Sequence, residues 1–331
     1  MTLDGTLLSR AITELETRRS RREAGERELR QTLYRLDPAL AELDGRLQGT
    51  AAQTLELALN SDRDPVKAME ELEEQNLELQ RQRAARIAAL GYPEHCIDGL
   101  PACRLCGDRG YIGTKPCSCL MKLYREEQRR ELSKLLDLQG ERFSAFRLDY
   151  YDDRPDPATG ISPRQNMRMV ELTCRRYAET FSGNGANLFL NGGPGLGKTF
   201  LSACIAAVVA ERGYSVVYET AITLCARYEE ARFRRRGDTE EAEEDVQRYL
   251  RCDLLILDDL GTEMNTAYYV SVIYEVINAR LRSRKSTVIS SNYGAGEIAA
   301  RYSPQIASRL AGEYTDLRFY GQDIRKLKNE E

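Results

Sequence analysis

The stretch 187–199, NLFLNGGPGLGKT, runs from an apolar triplet into a glycine-rich loop and out into a helix-forming segment. Leu188, Phe189 and Leu190 suit a strand buried on both faces. Gly192, Gly193, Pro194, Gly195, Leu196, Gly197, Lys198 and Thr199 then satisfy the spacing GxxxxGK[ST] in full. The glycines let backbone N–H groups turn inward around phosphate oxygens, where a Cβ would obstruct the approach. A helix starting near Lys198 adds the partial positive charge of its N-terminus. In such a loop the lysine, Lys198, reaches the β- and γ-phosphates and the hydroxyl of Thr199 ligates magnesium. The segment predicts a strand–loop–helix unit that binds ATP or a similar nucleotide.

The second landmark is 254–261, LLILDDLG. Four apolar residues make a central strand, and its C-terminal tip faces the crevice where ligands of parallel α/β sheets bind. Asp258 is placed to hold Mg²⁺, directly or through water. Asp259 is placed to orient and deprotonate the attacking water. A further strand, 286–290, ends in Ser291-Asn292. Asn292 is the candidate to bridge that water and the γ-phosphate; a turn-forming asparagine is the competing reading. A helix near Ser303–Gly312 carries Arg309, and the segment 320–325, YGQDIR, carries Arg325. Catalytic arginines stabilise charge on the transferring phosphoryl group and can arrive from a neighbouring subunit, whereas a lone arginine is ordinarily a surface ion-pair partner.

From 166 onward apolar strands alternate with amphipathic helices, the pattern of a parallel α/β domain. Four segments follow: a helical region (1–95), a cysteine-rich module with a connecting helix (96–140), a linker or docking strap (141–165) and the nucleotide-binding domain (166–331). The first is rich in Glu, Arg, Leu, Ala and Gln, all favourable in helices. Leu29, Leu33, Leu36, Leu40, Leu43 and Leu47 form a heptad-like seam, interrupted at Asp37-Pro38. Asp37 as N-cap and Pro38 at the first helical position start a new helix. A second break falls at 60–65, and the last helix stops before Gly91 and Pro93. A bundle of about three helices results.

Residues 103–119 read CRLCGDRGYIGTKPCSC. Cys103, Cys106, Cys117 and Cys119 offer paired soft thiolates suited to tetrahedral Zn²⁺, and four thiolates would close the site, making the metal structural. An iron–sulfur cluster or redox dithiol is the rival reading. His95 or Cys96 could replace one of the four. Cys174, Cys204, Cys225 and Cys252 read as small core residues.

Over 331 residues, 48 Lys+Arg against 52 Asp+Glu leave a net charge of −4, which argues against a globally basic DNA-coating protein. A single His excludes multi-His metal sites. The cysteines are odd in number and mostly scattered, unlike a secreted disulfide scaffold. No run approaches the ~20 apolar residues of a membrane helix, and the first residues lack a signal-peptide pattern. A cytoplasmic protein without membrane partners is expected.

GGPGLGKT, LLILDDLG, the strand ending in SSN, the late SRL and the closing YGQDIR together resemble the AAA+ ATPases of the DnaC/DnaI type, bacterial replicative helicase loaders related to the transposition ATPase IstB. The resemblance spans roughly 142–329 and includes RFSAFRLDYY, which is similar to the strap before the ATPase core. It implies an AAA+ P-loop core whose acidic strand lies between the phosphate-loop strand and its neighbour. It makes Asn292 similar to the sensor-1 residue, Arg309 to the arginine finger acting on a neighbouring subunit of an oligomer, with Arg301 as competitor, and Arg325 to the sensor-2 arginine. It also implies a helix between Tyr218 and Asp253 that contacts single-stranded DNA, here through Arg227, Tyr228, Arg232, Phe233, Arg234, Arg235 and Arg236. A solvated helix end is the plainer account of those cations. A zinc-binding N-terminal module docking on the hexameric replicative helicase completes the expectation. Two departures stand out: Asp259 occupies a position where most AAA+ proteins use Glu, and little chain follows Arg325 to build a lid. An ATP-dependent helicase loader is the leading function. An IstB-like ATPase delivering a transposase to target DNA is the alternative, and a nucleotide-binding adaptor with negligible hydrolysis is the third.

Overall fold

The computed structural model describes residues 2–59, 65–138, 140–157, 160–233 and 240–328. The chain forms two compact units, Ile12–Leu120 and Met1–Ala11 with Met121–Glu331. Among the described residues no helix is long and apolar enough to cross a membrane.

Helix α1 (Gly5–Leu36) from Ile12 onward, α2 (Ala39–Leu59) and α3 (Pro65–Ala89) supply the helical part of the first unit. The break at Asp37-Pro38 is real: the Asp37 carboxylate accepts the Ala39 N–H at 3.1 Å. The leucine seam does not continue as a coiled coil. Leu33 and Leu40 pack with Ile87 and Ile97 in a small core, while Leu36, at the corner, is 58% exposed. Gly91 ends α3 at φ 81°, and Tyr92 N–H returns to the Ile87 carbonyl at 3.3 Å. The break expected at 60–65 lies largely outside the described residues. A short antiparallel hairpin, β1 (Tyr111–Ile112) and β2 (Lys115–Pro116), follows, and α4 (Ser118–Leu132) starts directly after it.

The second unit is built on a five-stranded parallel sheet. Two 3₁₀ turns, Phe143–Ala145 and Leu148–Tyr150, lead into α5 (Pro163–Glu179). That helix starts sharply because Ser162 and Gln165 form a reciprocal capping box with Pro163 at its first position. Then come β3 (Leu188–Gly192), α6 (Lys198–Glu211), β4 (Val216–Thr220), α7 (Ala221–Phe233), α8 (Glu240–Arg251), β5 (Leu254–Leu260), α9 (Ala267–Arg282), β6 (Ser286–Ser291), α10 (Ala295–Arg301), α11 (Pro304–Glu313), β7 (Thr315–Phe319) and α12 (Ile324–Lys328). The spatial order is β4-β5-β6-β3-β7. Apolar residues of β3, β5 and β6 are buried on both faces, one face against α5 and α6, the other against α7 and α9.

One expectation is corrected. The acidic strand β5 does not adjoin the phosphate-loop strand β3. β6 lies between them, pairing Leu188–Asn191 with Val288–Ser291 on one side and Leu254–Leu257 with Ser286–Ile289 on the other. Uniformly apolar strands do not encode their neighbours; here the Asn187 side chain helps choose, accepting the Thr287 N–H at 2.8 Å.

Candidate nucleotide site and cysteine cluster

The loop after β3 turns through glycines that few other residues could replace. Gly192 has φ 146°, and a Cβ there would sit 2.4 Å from the Phe319 carbonyl oxygen. Gly197 precedes α6 with φ 90°. Lys198, the first residue of α6, is buried and folds back along the loop. Its Nζ donates to the carbonyls of Gly192 (2.8 Å) and Gly193 (2.7 Å) and to Asn292 Oδ1 (2.8 Å). Burial lowers its pKa, opposed by the carboxylates of Asp259 and Asp258. The loop lysine and the asparagine at the end of β6 therefore meet, as strand insertion requires.

The acidic pair sits in an irregularity that alternation does not reveal. Pairing of β5 with β6 shifts register between Leu257 and Leu260, so Asp258 and Asp259 lie opposite Ser290 together. Such a bulge re-aims side chains and is frequent beside active sites. Asp259 takes φ 54°. Ser290 joins the two, its Oγ accepting the Asp259 N–H at 2.9 Å and donating to the Asp258 carboxylate. Asp258 is buried and also accepts the Tyr218 hydroxyl at 2.7 Å. Asp259 is half-exposed and turned to the loop. Burial first, then the neighbouring Asp258 charge, raises its carboxyl above the usual carboxylate range, while Lys198 and Arg325 pull it back. A carboxylate made more basic in this way suits proton abstraction.

Around the loop opens a cavity of about 320 Å³. Pro194, Gly195, Leu196, Gly197, Lys198 and Thr199 form one side, with Asp259, Asn292 and Arg325 beyond. Glu141, Ala145, Phe146, Arg147, Tyr150 and Tyr151 complete the wall, from a stretch whose sequence reads as a linker or strap without site residues. Tyr151 is buried and donates its hydroxyl to the Leu196 carbonyl at 2.9 Å, and Phe146 packs on Tyr151 and Phe200. Aromatic residues just before an α/β core were the available signal. Arg325 reaches the cavity because the Ile324 N–H donates to the Gly195 carbonyl at 3.0 Å, tying α12 to the loop.

Arg309 is exposed on α11 and is not part of the cavity wall. Arg301 is engaged within its own chain, donating to the Glu263 carbonyl at 2.7 Å. On α7, Tyr228 is buried against Tyr249, its carbonyl accepting from the Tyr268 hydroxyl, so its ring has no free face for a base. Arg227 is ion-paired with Glu230 and Asp245. Arg232 lies over the rings of Phe233 and Tyr268, and Phe233 is 66% exposed. Arg234, Arg235 and Arg236 lie outside the described residues.

In the other unit the sulfurs of Cys103, Cys106, Cys117 and Cys119 all lie within 4.8 Å of one another. Cys103–Cys117 sulfurs are 3.7 Å apart and Cys106–Cys119 sulfurs 3.4 Å. A tetrahedron with Zn–S of about 2.3 Å has edges of about 3.8 Å, so the donor set fits that metal's size and softness. The Cys119 backbone N–H holds the Cys117 thiol down at about 7. Asp108, at φ 59°, braces the first pair by accepting the N–H groups of Cys103 (2.7 Å) and Ala102 (3.0 Å) and an ion pair from Arg22. His95 instead pairs with Asp98, and Cys96 packs beside the Leu33 core; neither joins the four sulfurs. Cys174, Cys204, Cys225 and Cys252 are buried singly, as small core residues should be.

The family of IstB-like ATP binding proteins matches residues 165–308. The chain is 28% identical over 136 residues to the replicative helicase loader DnaC of Escherichia coli (strain K12), covering 41% of this chain and 54% of that protein. It is 34% identical over 119 residues to a putative insertion sequence ATP-binding protein of Sinorhizobium fredii, covering 36% and 38%. A crystal structure of the DnaC helicase loader overlays on 55% of this chain and 98% of that one at 21% identity, with a TM-score of 0.45. The chain thus spans about half the length of the DnaC relatives it matches. Motif order, parallel sheet and sequence match agree: residues 165–308 carry a domain that matches the family of IstB-like ATP binding proteins and is similar to the helicase loader DnaC.

Proposed function

We propose that the protein is an ATP-hydrolysing loader of a replicative DNA helicase. The observation that carries the ATPase part is the meeting of Lys198, Asp259, Asn292 and Arg325 around one cavity behind a complete phosphate loop. The loop amides and Lys198 bind the triphosphate. Thr199 and Asp258 would hold Mg²⁺, which supplies charge neutralisation on the phosphates. Asp259 takes the proton of the attacking water, Asn292 orients it, and Arg325 faces the charge that develops on the transferred group. Phe146 and Tyr151 wall the side where a base would stack. Arg309 is exposed, as a residue serving a neighbouring copy must be.

The loader reading draws on the similarity to DnaC together with the cysteine-bearing first unit. That unit, holding zinc through Cys103, Cys106, Cys117 and Cys119, is the candidate helicase-docking module. Arg232 and Phe233, with Tyr268 added and Tyr228 removed, form the remaining single-stranded DNA surface, where cation and ring can meet phosphate and base. The similarity to an insertion-sequence ATP-binding protein favours a second reading, delivery of a transposase to target DNA. The full chain, used as bait in its host's extract, separates them: recovery of the replicative helicase supports the loader, and recovery of a transposase supports the alternative. Phosphate release unaltered by Asp259→Asn would refute both.

A further inference from the structure

The loop after the acidic pair is held from two directions by residues with no part in the ATPase steps. Glu263 is only 3% exposed. Its Oε2 accepts the Gly261 N–H at 2.9 Å, and its Oε1 accepts the hydroxyl of Tyr302. Arg301 donates to the Glu263 carbonyl and lies 5.5 Å from the Tyr293 ring centroid and 5.9 Å from that of Tyr302. Tyr293 directly follows Asn292, and its ring fills the space beside Gly261, where a Cβ would meet it at 2.4 Å. Ser291 closes the circuit, donating to the Leu260 carbonyl at 2.6 Å and accepting the Tyr293 N–H at 3.1 Å. Nearer the reacting groups, Thr262 returns both its N–H (3.2 Å) and its hydroxyl (2.8 Å) to the Asp259 carbonyl.

The segment 259–263 is thereby pinned at one end to the strand tip carrying Asn292 and at the other to the end of α10. Asp259 stands at the head of that segment in a left-handed conformation that a non-glycine residue adopts only when its surroundings impose it. A buried carboxylate accepting a backbone amide and a tyrosine hydroxyl is a stiff anchor, because moving it would leave both donors and the charge unpaired. Arg301 acts in the same network, which accounts for it without a role toward a neighbouring copy.

We propose that Glu263 is a positioning residue for ATP hydrolysis: with Tyr302 and Arg301 it sets the loop that keeps Asp259 and Asn292 aimed at one point. This rests on the ATPase reading of the site. It predicts that nucleotide binding, which the phosphate loop controls, is separable from the chemical step, which depends on placement.

The test uses the full chain carrying Glu263→Gln or Tyr302→Phe, each checked as folded by circular dichroism at the assay temperature. Glu297→Gln is the control, because Glu297 accepts the Gly294 N–H at 2.9 Å at the exposed start of the same helix. ATP affinity by titration and hydrolysis by single turnover are measured together. Small misplacement of a reacting group is costly, so hydrolysis should fall at least about tenfold in both variants while the ATP Kd changes less than about twofold, and the control should move neither. Hydrogen exchange should rise at 260–263 and 292–293 in both variants, with or without turnover. If Glu263→Gln cannot fold, Tyr302→Phe, which deletes one hydroxyl, decides alone. Unchanged hydrolysis and unchanged exchange overturn the proposal, as does a parallel loss of affinity and rate. A wild type that binds ATP and never hydrolyses it refutes the ATPase reading instead; the exchange data then still report whether Glu263 holds the loop.

Discussion

Replacing Tyr218 with Phe removes a single oxygen from the least accessible corner of the nucleotide site. Tyr218 and Asp258 are 6% and 4% exposed, and the hydroxyl donates to the carboxylate at 2.7 Å. Water cannot enter to replace it, so the loss is that of a hydrogen bond to a charged group, about 1.5–3 kcal/mol. For a unit of this size each kcal/mol shifts the melting point by about 2–4 °C, giving a fall of about 3–12 °C. The functional effect follows from orientation. Ser290 alone would then steer Asp258, and loss of a supporting hydrogen bond behind a metal-binding carboxylate weakens the metal about 10–100-fold. The assay is a melting curve without nucleotide, paired with the Mg²⁺ concentration giving half-maximal ATP hydrolysis. Tyr228→Phe is the internal control: that ring is equally buried, but its hydroxyl has no hydrogen-bond partner among the described residues, so its removal should be neutral or mildly stabilising. A Tyr218→Phe protein that melts with the wild type and keeps its Mg²⁺ midpoint would refute the assignment of Asp258 as a metal-holding carboxylate braced by Tyr218.

Three further outcomes are expected. Asp259→Asn should bind ATP normally yet lose about 10²-fold or more in hydrolysis. Because the folded protein raises the Asp259 pKa, ionisation of this group costs stability above that raised value. The amide should therefore raise the melting point at neutral pH, the gain should vanish as pH falls through the raised value, and wild-type turnover should decline over that window. Gly192→Ala, which meets the Phe319 carbonyl oxygen at 2.4 Å from a φ of 146°, should destabilise by about 2 kcal/mol or more, whereas Gly193→Ala, nearest contact 3.7 Å, should cost well under half of that in a denaturant titration. Metal analysis should find one zinc per chain; Cys106→Ser or Cys117→Ser should lose it, Cys96→Ser should keep it, and a strong chelator should unfold Ile12–Leu120, since structural zinc contributes about 10–16 kcal/mol.

What could be read before the structure was whatever chemistry writes into adjacent residues. The phosphate loop needs its glycines, lysine and threonine in succession, and paired thiolates need close spacing, so both were legible in full. Asn292 lies beside Lys198, where a strand end is easy to place from sequence. Strand order was not legible: β3, β5 and β6 are all apolar, and the insertion of β6 depends on hydrogen bonds between distant segments. The bulge that brings Asp258 and Asp259 to Ser290 is likewise a pairing property. The arginine neighbours of Tyr228 suggest an outward ring, but helix α7 packs on Tyr249 and Tyr268, and that packing turns the ring inward. Tyr218, Tyr151 and Glu263 carry no sequence signal for one reason: each bonds a residue far away in sequence, and no local pattern marks such a contact.

Nucleotide binding by this chain depends on the loop at 192–199. Isothermal titration of ATP and Mg²⁺ into the full chain, beside Lys198→Ala, tests it most directly. One saturable site per chain in the wild type, with affinity lost in the variant because the Nζ that lies between Gly192, Gly193 and Asn292 is gone, is the predicted result. No binding heat in the wild type, or equal affinity in the two proteins, would contradict it.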